Sequence, residues 1–132
     1  MSYYVGNFEN APFVQMPAPE ERILRCFISP ELDPTNQDIA LGMTEMQPGC
    51  KSDWRGHAEG EMFICVKGKG HVRIEEEIIE LKEGSVVYVP KWAKHQLMAD
   101  CDDIFTVYWV LTPPFGGDKM TIDLARKANA DK

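Results

Sequence analysis

Short runs of β-branched and aromatic residues recur along most of this chain, and glycine or proline interrupts them every few positions. Runs of about four to eight such residues bounded by turn formers read as strands. The pattern predicts strands over Ile23–Ser29, Ile39–Met46, Phe63–Val66, His71–Glu76, Ile78–Leu81, Ser85–Val89 and Ile104–Leu111. Pro30–Asn36 is a loop, Pro48-Gly49 and Gly68-Lys69-Gly70 are turns, and a tight turn falls near Glu76-Glu77. Pro90 stops one strand and Thr112-Pro113-Pro114 follows another. Residues 1–21 carry Pro12, Pro17 and Pro19 and read as an extended arm. Only Ile122–Ala130 has a helical pattern. The expectation is an all-β fold of two packed antiparallel sheets over residues 23–111, with at most a short C-terminal helix.

Composition narrows the function classes. The chain has 132 residues, 44% hydrophobic and 27% charged, which suits one globular domain with a real core. No internal repeat or linker divides it. The net charge of −7 argues against nucleic acid and anionic membranes as partners, since both want a basic face. No apolar run reaches membrane-spanning length. Met1-Ser2-Tyr3-Tyr4 does not open a secretory signal, so a cytoplasmic location is expected. Cys26, Cys50, Cys65 and Cys101 are then reduced thiols, although an even count leaves disulfides open. No pair is spaced as CxxC, which speaks against a zinc ribbon.

The chemistry lies in two segments. The first runs from Gly49 through His57 and Glu61 to Gly68; the second runs from Gly84 through Pro90 to His95. Together they offer two imidazoles and one carboxylate on neighbouring hairpins, a donor set for a metal with open positions. Residues two apart on a strand face the same way. Arg55, His57, Glu61, Phe63 and Cys65 share parity and are expected on an inner face, with Met62, Ile64 and Val66 turned away. A His–Glu pair on a strand is also common as an ordinary solvated pair.

Gly49, His57, Glu61 and Gly68, with Gly84, Pro90 and His95, resemble the two motifs of the cupin superfamily, G(X)5HXH(X)3-4E(X)6G and G(X)5PXG(X)2H(X)3N. The resemblance covers residues 49–99. Three positions depart from it: Arg55 stands for the first histidine, Trp92 for a glycine, and Ala99 for the final asparagine. It implies an antiparallel double-stranded β-helix, or jelly-roll barrel: arm 1–21, barrel 22–114, tail 115–132, one domain over 1–132. It implies convergence of His57, Glu61 and His95 on a divalent Fe, Mn, Ni or Zn ion, and a homodimer formed through the arm and outer strands. Arg55 removes a customary ligand and puts a fixed cation beside the site. It either holds an anionic substrate or pairs with Glu59 or Asp53 at the barrel mouth. Trp92 and Tyr108 are further substrate-binding candidates, and Tyr88 or Tyr108 a general acid or base. The function expected is a metal-dependent oxygenase, isomerase or lyase acting on a small organic or sugar acid. The alternative is a non-catalytic module that binds such an acid without metal.

Overall fold

The computed structural model describes residues 3–130. Among the described residues, nine strands precede one helix: β1 Phe13–Met16, β2 Arg22–Ile28, β3 Ala40–Met46, β4 Gly60–Lys67, β5 Gly70–Ile74, β6 Glu77–Leu81, β7 Val86–Val89, β8 His95–Ala99, β9 Phe105–Thr112 and α1 Gly117–Ala130. They form a six-stranded sheet, β1-β2-β3-β9-β4-β7, and a three-stranded sheet, β6-β5-β8. Every strand pairing is antiparallel. This is the jelly-roll barrel that the resemblance to cupins implies, built from the strands that the runs of β-branched residues predict.

The core forms where the inner faces meet. Met46, Cys26 and Cys65, with Val89, Phe105 and Val107, come from the large sheet, and Val72 and Leu81 from the small one; all are essentially sealed from solvent. Alternation along β4 follows the expected parity: Glu61, Phe63 and Cys65 are buried, while Met62 and Ile64 are half-buried and Val66 is exposed. Two glycines are required by close approach. Gly68 has φ +77° at the β4–β5 turn, a conformation that L side chains rarely hold. Gly42 lies beneath the Trp109 ring, and a Cβ there would overlap both the indole and the Arg25 carbonyl.

Several boundaries differ from expectation. The arm contains β1, which pairs with β2 from Phe13↔Arg25 to Met16↔Arg22. β2 begins at Arg22 rather than Ile23, so Arg22 joins Leu24 and Cys26 on the inner face. The β5–β6 turn falls on Glu75-Glu76, with Glu75 at φ +51°. The helix begins at Gly117, well before Ile122. The Gly116-Gly117 pair hides its start, because the partner that satisfies the first-turn amides is remote in sequence: the Glu59 carboxylate accepts from the Phe115 N–H at 2.8 Å and the Gly117 N–H at 3.3 Å. Asp118 in the first turn suits the helix dipole and is hydrogen-bonded to Ser29. Ile122, fully buried, inserts from α1 into the main core.

Candidate metal centre

The barrel mouth is built where the two sheets touch. The segment leading into β4 crosses to β8 through a bridge in which the Arg55 N–H donates to the His95 carbonyl at 3.3 Å and the His95 N–H to the Arg55 carbonyl at 3.1 Å. Glu61, opposite Val89 and Leu111 on β4, is thereby brought against His95 at the start of β8. His57 is held from behind, its carbonyl accepting from the Trp92 N–H at 2.7 Å. One ligand atom each from His57, Glu61 and His95 lies within 4.8 Å of the others.

The hydrogen bonding fixes what this cluster wants. His57 Nδ1 donates to the Glu59 carbonyl at 3.0 Å, and His95 Nδ1 donates to the Ala93 carbonyl at 2.9 Å. Carbonyls only accept, so Nδ1 carries a proton in each ring, and whenever the ring is neutral its Nε2 lone pair points inward. Both Nε2 atoms face the same oxygen, Glu61 Oε1, at 3.1 and 3.0 Å. An ionised carboxylate is also an acceptor only. Three lone-pair donors therefore converge with no proton among them, in a setting where Glu61 and His95 are each only 8% exposed. Such a cluster is completed by a cation: protons on the rings, or a metal. Bonds of about 2.1 Å at right angles separate neighbouring ligand atoms by about 3.0 Å, so the spacing fits an ion.

The proton-filled state leaves its mark on the acidities. The hydrogen bond to Glu61 pushes the His57 pKa up, against the opposing effect of burial. Burial drives Glu61 up, but the hydrogen bonds and charges of His57 and His95 outweigh it and hold the carboxyl below its ordinary value.

A cavity of about 100 Å³ opens over the triad. That is smaller than a typical drug-sized pocket and has room for a ligand of several heavy atoms. Its wall includes Arg22, Thr44, Phe63 and Trp109, and α1 contributes Met120 and Thr121. Arg55 is at its rim, half-exposed, with Nε 2.8 Å from Asp53 and Nη2 3.7 Å from Met120 Sδ. Of the two pairings considered for it, the one with Asp53 is present.

The other expected substrate contacts lie outside this cavity. Trp92 is 67% exposed and does not line the cavity; its backbone does the work, at φ +72°. That left-handed conformation is where the motif has glycine, and a bulky residue holding it is strained. Tyr108 lies on the opposite face of the large sheet, near Phe27 and Met43, because residues of even number on β9 face away from the barrel interior. Tyr88 is likewise outward and 60% exposed. Arg22 and Thr44 are the residues that the sequence reading passed over, and Glu59, considered only as a partner for Arg55, instead accepts the amides at the start of α1. Arg22 has the parity of Leu24 and Cys26 but precedes the strand start expected at Ile23; the capping role of Glu59 carried no local signal.

The family model for the Cupin domain matches residues 42–111, and the chain belongs to this family. An uncharacterised protein of Streptomyces coelicolor is 27% identical over 78 residues, which cover 59% of this chain and 73% of that protein. An RmlC-like cupin from Shewanella frigidimarina superposes with a TM-score of 0.69 at 15% identity, covering 86% of this chain and 93% of that one. Bacillus subtilis oxalate decarboxylase, whose Mn(II) centres have been studied, superposes with a TM-score of 0.74 at 18% identity over 87% of this chain, but this chain spans only 31% of it. These likenesses establish the barrel.

Proposed function

We propose that this protein is a metal-dependent enzyme of the oxygenase, isomerase or lyase type acting on a small organic or sugar acid. The observation that carries the reading is the convergence of two inward lone pairs on one ionised carboxylate, with both Nδ1 protons already committed to backbone carbonyls. His57, Glu61 and His95 would hold a divalent Fe, Mn, Ni or Zn ion, and manganese has a precedent in the decarboxylase of the same fold. A bound ion would supply Lewis acidity or oxygen activation. The chain's own residues do the rest. Glu59 and Ala93 carbonyls keep the rings in the ligating tautomer, Phe63 stacks edge-on against His95 at 5.8 Å between centroids, and the cavity limits ligand size. A homodimer in a reducing compartment is part of the same reading.

The test is elemental analysis of protein purified without a polyhistidine tag. The expected result is close to one transition-metal ion per chain, falling below a tenth of that in His95→Ala. A wild-type protein that carries no metal and takes none up, yet binds small carboxylates, would make it a binding module instead.

A further inference from the structure

Arg22 lies on the inner face of β2 at the cavity wall and is only 6% exposed. A guanidinium has five N–H donors. Among the described residues, its hydrogen bonds involve Nη1 alone, to the Glu20 carbonyl at 2.9 Å and Glu20 Oε1 at 3.3 Å. Asp53 Oδ1 stands 3.6 Å from Nη2, beyond hydrogen-bonding range. Nε has no acceptor among the described residues. Yet no buried side-chain nitrogen or oxygen sealed from solvent lacks a partner among the described residues. Nε and Nη2, the latter in a long ion pair with Asp53, are therefore not sealed from solvent, and the residue that carries them lines the cavity.

The neighbouring strand adds a second donor. Register pairs Leu24 with Thr44 and Arg22 with Met46, so Arg22 and Thr44 are diagonal neighbours on one face of the β2–β3 ladder. Thr44 is 4% exposed, lines the same cavity, and its hydroxyl has no side-chain hydrogen bond among the described residues. Arg55, by contrast, is half-exposed and its Nε is spent on Asp53.

We infer that Arg22 and Thr44 form the anion-binding wall of this cavity, holding the carboxylate of a small acid whose other end lies toward His57, Glu61 and His95. Arg22 thus takes the role that the motif position of Arg55 suggests for Arg55. A buried guanidinium binds a carboxylate through a planar fork, with little water competing. The charge count couples this wall to the triad. Arg22 and Arg55 face Asp53, Glu59 and Glu61 around the cavity, so with neutral imidazoles its lining carries one net negative charge. A divalent ion reverses the sign. Anion and metal then strengthen each other's binding by the same factor.

This inference rests on the metal-and-acid reading above, and the experiment separates the two. Malonate is titrated calorimetrically into chelator-treated protein and into protein supplied with Mn(II), while bound manganese and melting temperature are measured for each variant. Malonate is expected to bind the manganese form more tightly. Arg22→Gln is expected to lower that affinity by about tenfold or more, and Thr44→Val by about threefold, both with manganese content unchanged. Arg55→Gln is expected to change it by less than about threefold, as suits a rim ion pair. Should Arg22→Gln not fold, Arg22→Lys, which keeps the charge and loses the fork, decides with Thr44→Val. Folded Arg22 and Thr44 variants that bind malonate like the parent, or a loss confined to Arg55→Gln, would overturn the inference. If the parent takes no manganese, the metal reading fails, and Arg22-dependent malonate binding by the metal-free protein still supports the wall. No malonate binding in either form overturns it.

Discussion

At Glu61, burial and hydrogen bonding pull in opposite directions, and the outcome sets a pH dependence. Its carboxyl is held below the ordinary 4.5, so its stabilisation is full above that value and fades as pH falls through the lowered one. His57 is raised above 6.5, so its contribution is full below that value and is lost as pH rises through the raised one. Both contributions coexist between about pH 4.5 and 6.5. The chelator-treated protein should therefore melt highest in that interval, and Glu61→Gln should flatten the profile. Melting curves across pH 4 to 9 check this, and a metal-free optimum at alkaline pH would contradict it. Metal binding requires the rings unprotonated and so should move the optimum upward. The triad itself was legible because its members follow motif spacing and strand parity. Arg22 was not, since a strand started one residue late leaves its parity unread.

Among the elements, α1 depends most on something outside itself. Its entry is pinned by Glu59, which is 3% exposed and accepts the amides of Phe115 and Gly117. The same carboxylate lies 3.7 Å from His57 Nδ1, so one residue ties the cavity-lining helix to the triad loop. Glu59→Ala leaves two amides without an acceptor and should cost about 1–3 kcal/mol in denaturant unfolding. Amide exchange over residues 115–122 should quicken while that of β9 stays slow. Unchanged exchange there would show that the pin does not hold the helix. Most strands were legible from local pattern because they close on a turn within a few residues, whereas β1, inside the proline-bearing arm, was not. The first turn of α1 was hidden because its cap comes from a residue 56 positions earlier.

Viewed as a whole molecule, the large sheet ends in β1 and β7, and large apolar side chains on and beside these edges remain more than half exposed. Phe8 and Phe13 of the arm are 59% and 52% exposed, and Val86 and Tyr88 on β7 are 58% and 60% exposed. Unpaired edges and apolar patches of this kind are where a two-fold assembly forms. The 15.0 kDa chain should sediment as a dimer, and the double change Phe8→Ser with Phe13→Ser should shift it to monomer. A parent protein that sediments as a monomer at micromolar concentration would refute this. Cys26 and Cys65 give no route to covalent assembly: both are buried, and burial pushes the Cys26 thiol up to about 12.

Taken alone, the sequence determined the β architecture, because alternation and chain-breaking residues act over a few positions. It also picked out the three residues that converge, His57, Glu61 and His95, because they recur at spacings that a paired strand presents on one face. Only the tertiary structure decided which arginine is buried in the cavity wall and which stands at its rim. Arg55 and Arg22 are both arginines near the inner face in sequence terms, but the bridge to His95 carries Arg55 to the rim beside Asp53, while β2 carries Arg22 into the wall. Trp92 and Tyr108 are sorted in the same way, one by a left-handed backbone and one by the face of β9 it occupies. Burial and the direction of a side chain depend on contacts between strands far apart in the chain, and no local pattern encodes those.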